Sequence, residues 1–213
     1  MTATRLRTTP QPPLRLTGVL KALRLRPDPF FTAVGAKAIR CQCTKLIAMT
    51  DLQLGPAAVK IFAASERMNQ MLIEHLDPTA WRAKPAGNIR SIVAIFTHMH
   101  NVRCKWVRLT SPHLPVPPQL NRAHCTTQQA RDALANSAAS CQAMLADVLS
   151  GPTKKFRRDG WASEWPAGPE MLCYMISHEA HHRGQVCMLA HQFGFPLPKS
   201  VDSAIWNWEK LLL

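Results

Sequence analysis

No run of 18 apolar residues occurs in the 213-residue sequence, so nothing in it reads as a membrane span. Its seven cysteines are odd in number and scattered, and only Cys41-x-Cys43 is closely spaced. That leaves neither a disulfide framework nor paired Cys-x-x-Cys zinc ligands, and reduced thiols in the cytoplasm are the simplest expectation. Acids are scarce: 13 Asp/Glu stand against 26 Lys/Arg, a net charge of +13. The excess is uneven, because residues 1–48 hold nine Lys/Arg and the single acid Asp28, leaving 17 basic and 12 acidic residues for the rest. A nucleic-acid surface needs a basic stripe interleaved with base-reading or stacking groups. The body has none, so no nucleic-acid partner is expected.

The leading segment is Arg-rich and acid-poor, as transit peptides are, but it has no serine, and Lys21 and Arg24 interrupt its best apolar run. Met49 follows, and "MTDLQLGPAAV" reads as a natural start. Residues 1–48 are therefore expected to be an upstream extension or a disordered tail, with a cleaved targeting peptide as the second reading. The domain is expected over 49–213.

Within it, helical patterns alternate with Pro/Gly punctuation. Gly55-Pro56 opens a run to about Leu76, with Ile61, Met68, Met71, Leu72 and Leu76 at helical spacing. "DPTAW" and "KPAGN" break the chain before a second helix, capped by Asn88 or Ser91 and reaching about Leu109. "SPHLPVPPQL" must be an extended connection. Thr126-x-x-Gln129 is a capping-box pattern opening a third helix that Gly151 ends. A long irregular loop precedes a fourth helix from about Glu170 to Phe193, and "SAIWNWEKLLL" adds a short one. Four helices of about 20 residues without strand alternation predict an all-α, four-helix bundle.

The chemistry concentrates in "HEAHHRGQ", residues 178–185. At roughly 100° per residue from His178, the side chains of Met171, Tyr174, His182, Gln185 and Leu189 all fall within about 40°. His178 and His182 are thus one turn apart on an apolar face, where two imidazoles can lean over one metal ion. His181 and Glu179 are less well aimed. On the second helix, His98 lies at the edge of the apolar stripe and His100 further round, where solvent or a supporting role is expected. His75, His113, His124 and His191 read as surface residues.

His178-Glu179-x-x-His182 also spells the zinc-peptidase motif, with Glu179 as general base. Its extended form fails, since Gly184 comes one place early and position 188 is Met. A peptidase is the third choice of function.

"IFTHMHNVRCKW", followed by "MISHEAHHRGQVCMLAHQFGFPLP", resembles the DinB/YfiT-like superfamily of metal-binding four-helix bundles over roughly residues 56–210. The resemblance implies a divalent metal (zinc, nickel or manganese) held by His98, His178 and His182, and gives Glu179 no role as a peptidase base. It also implies chemistry of the kind its characterised relatives perform, thiol-dependent S-transfer or hydrolysis on a small-molecule substrate, with a low-molecular-weight thiol as a further cofactor. A metal-binding stress-response protein without catalysis is the alternative. Arg183 and Arg103 are candidates for binding a carboxylate of that thiol or substrate, against the reading that both are merely exposed. Gln185 is a candidate for orienting a ligand ring or water. Tyr174, the only tyrosine, is a candidate proton donor or a packing residue. The apolar faces of such a short bundle are also compatible with a homodimer.

Overall fold

The computed structural model describes residues 54–150, 155–156, 164–166 and 168–213; the extension expected over 1–48 lies outside them. Four long helices carry the architecture: α1 (Leu54–His75), α3 (Ile92–Thr110), α4 (Thr127–Leu149) and α5 (Pro169–Gln192). Between α1 and α3 lies the short α2 (Pro78–Arg82), and α6 (Lys199–Ala204) and α7 (Trp208–Leu211) follow α5. The described residues are helical apart from turns, connections and one minimal antiparallel pair, β1 (Lys155–Phe156) with β2 (Trp165–Pro166). None of their helices is long and apolar enough to cross a membrane.

Local signals set the helix ends. Thr126 Oγ1 accepts from the Gln129 amide at 3.1 Å while Gln129 Oε1 accepts from the Thr126 amide at 2.9 Å, a complete capping box for α4. Pro169 sits in the first turn of α5, where a missing N–H costs nothing. At the other end Gly194 takes φ +84°, and the Phe195 amide donates back to Ala190 O at 2.9 Å; the left-handed residue lets the chain turn off the helix.

Two expectations need correction. "DPTAW" does not simply break the chain. Asp77 caps α2 by accepting from the Thr79 amide at 2.7 Å, with Pro78 at the first helical position. And the buried face of α1 departs from the expected stripe at its start: Met68, Leu72 and Leu76 are buried as expected, but Ile61 is 37% exposed and the fully buried Phe62 takes its place. The inward face also carries the polar residues Ser65, Glu66 and Asn69.

α1 packs against α4 and α5, and α3 packs against the same two, so α1 and α3 lie diagonally across the bundle. The core has two large apolar clusters, one around Leu72, Trp81, Phe96 and Leu134, the other around Phe62, Trp106, Met144 and Met175, and a small third one of Ala64, Met68 and Leu211. A charged layer separates the two large ones. Arg103 on α3 is 1% exposed, with Nε 2.7 Å from Glu179 Oε1 on α5 and a terminal nitrogen 2.7 Å from Glu66 Oε2 on α1. Its other terminal nitrogen donates to Leu134 O of α4 at 2.9 Å. Glu179 Oε2 accepts from Asn69 Nδ2 at 2.9 Å and from Ser65 Oγ at 3.1 Å. Every long helix thus contributes to one buried network.

Removing one member strands the others in a medium that solvates them poorly. Arg103→Met is expected to lower unfolding free energy by about 3–5 kcal/mol. Arg108→Met, exposed on the same helix, is expected to change it by no more than about 0.5 kcal/mol. Urea unfolding of the two variants beside the parent measures both. Equal midpoints for all three would mean that the network does not hold the bundle.

Candidate metal centre

Packing of α3 against α5 brings His98 opposite the His178/His182 pair. His178 Nε2 lies 3.2 Å from His98 Nε2 and 3.2 Å from His182 Nε2, and the three ligand atoms all fall within 4.8 Å of one another. Two nitrogens bound to one zinc ion at ~2.0–2.1 Å in a tetrahedron stand roughly 3.3 Å apart, so the cluster has the dimensions of a metal site. The rings of His178 and His182 meet edge to face, with centroids 4.5 Å apart and planes at 84°.

Neighbouring groups orient these rings. Gln185 Oε1 lies 2.7 Å from His182 Nδ1. An amide oxygen only accepts, so Nδ1 carries the proton and the Nε2 lone pair faces the cluster. Tyr174 stacks on His178 with centroids 5.6 Å apart and planes at 19°, and packs against the Trp106 ring at 5.3 Å. It is half-buried on the edge of the apolar cluster around Phe62 and Trp106. The cluster is also kept in the neutral form that binds metal. Burial, and then the positive charge of Arg90, take the His98 pKa from 6.5 to about 4. Burial and the two neighbouring histidines take His178 to about 4. Burial also lowers His182, against the hydrogen bond to Gln185.

Other residues singled out in the sequence lie elsewhere. Glu179 is 1% exposed and faces the charged layer. Burial alone would raise its pKa, but the charge and hydrogen bond of Arg103 outweigh burial and hold it ionised. A peptidase base must reach a metal-bound water, and this carboxylate is committed to Arg103, Asn69 and Ser65. Arg103 is neither exposed nor available to a ligand, for the same reason. Arg183 is not simply exposed either: its side chain is 12% exposed, and one terminal nitrogen donates to Ser65 Oγ at 2.9 Å and Asn69 Oδ1 at 3.1 Å. It faces α1, on the other flank of α5 from the histidines.

His100 is not solvated. It is fully buried, with Nδ1 2.9 Å from Ala133 O and Nε2 2.9 Å from Pro118 O. The ring fastens the Pro-rich connection to α3 and α4, assisted by Asn101, which exchanges hydrogen bonds of 2.9 and 3.0 Å with the backbone of Leu120. His181, His75, His113, His124 and His191 are exposed.

Sequence reading missed the partners of Glu179. Ser65, Glu66 and Asn69 interrupt the apolar stripe of α1 one turn apart, which is the pattern of a buried polar contact, but periodicity alone does not say with what. Arg90 and Arg122, which flank His98 in a cavity of about 540 Å³, gave no signal at all. They lie outside the helices and far apart in sequence.

The profile of the DinB family matches residues 49–206. No curated protein matches the sequence.

Depressed histidine pKa values tie stability to pH. Above 6.5 the folded and unfolded chains are both neutral at these positions. Below it the unfolded chain gains protons that folded His98 and His178 do not accept until about 4. Metal-free protein is therefore expected to lose stability as pH falls from about 6.5 to about 4. Denaturant midpoints across that range measure the loss, and His98→Asn is expected to flatten the profile. An unchanged slope in that variant would contradict the assignment.

Proposed function

The chain belongs to the DinB family, and we propose on that premise that His98, His178 and His182 hold one divalent cation at which a small molecule is turned over by thiol S-transfer or hydrolysis. The observation that carries this reading is the convergence of three imidazole Nε2 atoms from two helices. Three protein donors leave coordination positions open, a property of catalytic rather than structural sites. Imidazole suits zinc and nickel, and manganese completes the set to be screened. A divalent ion in the cluster supplies Lewis acidity, lowering the pKa of a water or thiol drawn to it.

The protein residues provide position. Gln185 fixes the tautomer of His182, and Tyr174 fixes the plane of His178 by stacking. Burial keeps all three rings neutral near pH 7, so metal need not compete with protons for the nitrogens. The cysteines at 104, 125, 141, 173 and 187 are all unpaired, which supports a reducing, cytoplasmic compartment.

Metal analysis by mass spectrometry of untagged protein, purified without added metal, is the primary test. About one divalent ion per chain is expected, with loss of that ion in His182→Ala. Gln185→Leu is expected to weaken metal affinity about 10–100-fold, as loss of a ligand-orienting group does. His100→Ala is expected to keep the metal and lose stability. Absence of metal after reloading with zinc, nickel and manganese in turn would sink the proposal. Chelation that lowers the melting temperature yet leaves no thiol-transfer or hydrolytic activity to lose would leave a non-catalytic metal-binding protein.

A further inference from the structure

We infer that the three-histidine site takes a small organic acid, whose carboxylate is held by Arg90 and Arg122 and whose apolar body lies against Ile89 and Met188. This rests on reading the cluster as a substrate site and names the class of substrate. One cavity, of about 540 Å³, reaches the cluster through His98; a second, of about 520 Å³, comes no nearer than Gln185, the residue bonded to His182. Both fall in the size range of small-molecule sites. Arg90 and Arg122 line both cavities, so the two guanidinium groups stand where the lobes meet.

The charge there is unbalanced. No Asp or Glu lines either cavity, and neither arginine forms an ion pair with a carboxylate among the described residues. A cleft lined by one sign of charge concentrates ligands of the other. This contrasts with the charged layer in the core, where Arg103 and Arg183 are balanced by Glu66 and Glu179 and ask for no further anion. Arginine pairs with carboxylate through two parallel hydrogen bonds, which makes the lobe junction a suitable seat for the acid group.

The second lobe supplies the apolar contacts. Ile89 and Met188 are 62% and 54% exposed, large apolar side chains left in water beside Ile95 and Leu189 on the same wall. They form an apolar patch in a lining that is otherwise mostly polar, room for a short aliphatic body beside the seat of the carboxylate.

Calorimetric titration of octanoate, octan-1-ol and inorganic phosphate into the full-length, zinc-loaded protein tests the inference. The same titrations are run on Arg90→Gln/Arg122→Gln and on His182→Ala, with metal content measured in every sample. Both arginines are exposed, so the double variant is expected to melt with the parent. Octanoate is expected to bind the parent and to lose at least about tenfold in affinity in the double variant, the scale of one charge-assisted pair. Octan-1-ol is expected to bind both equally weakly. Octanoate binding that ignores the two arginines overturns the inference. So does phosphate binding as tightly as octanoate with the same arginine dependence, since that describes a site for any anion. The two readings separate cleanly. Metal lost in His182→Ala with arginine-independent octanoate binding sinks only the organic acid, whereas arginine-dependent binding in a chain that never holds metal sinks only the metal.

Discussion

Arg103, enclosed between the carboxylates of Glu66 and Glu179, is the point at which the helices of this bundle are made to agree. An apolar core rewards burial but is tolerant of small rotations, because one aliphatic contact can replace another. A buried guanidinium is not tolerant. Its N–H groups demand acceptors at fixed places, and a rotation of α5 that withdrew Glu179 would leave charge unpaired in the core. Glu179 follows His178 in the chain, so holding one in the charged layer sets the other about 100° round the helix, towards α3. The site thus inherits its rotational setting from an interaction that takes no part in it.

Most of this architecture was legible in the sequence, and for identifiable reasons. The four long helices announced themselves through apolar periodicity and through the Thr126 capping box, both of which act locally. His178 and His182 were legible as a pair because two residues one turn apart share a face whatever the tertiary structure, and His98 joined them through its place at the edge of the apolar stripe of α3 and through the family resemblance. The illegible features depend on partners distant in sequence. His100 was misplaced because angular position on α3 measures distance from the apolar stripe, and the connection that closes over that flank at Pro118 has no periodicity to read. Arg103 and Arg183 looked like surface arginines because the acids that bury them come from other helices.

The turn of α3 that aims His98 at α5 aims His100 at α4 and the Pro-rich connection, and the two histidines have unrelated tasks. His98 completes a cluster with α5. His100, with Asn101, holds the backbone at Pro118 and Leu120. Four residues beyond Pro118 lies Arg122, at the junction of the two cavities.

That anchoring divides the Pro-rich connection into two stretches with different freedom to change length. Ahead of Pro115, whose carbonyl accepts from Ser140, the connection crosses the surface from Ser111, and an inserted residue there would only enlarge a loop, at a slowly growing entropic cost. Between Pro118 and Arg122 there is no such slack. One residue more or fewer would shift the chain out of register with His100 and Asn101 and carry Arg122 off the rim. A connection that composition alone would class only as an extended spacer is, over these five positions, as fixed in length as a turn of helix.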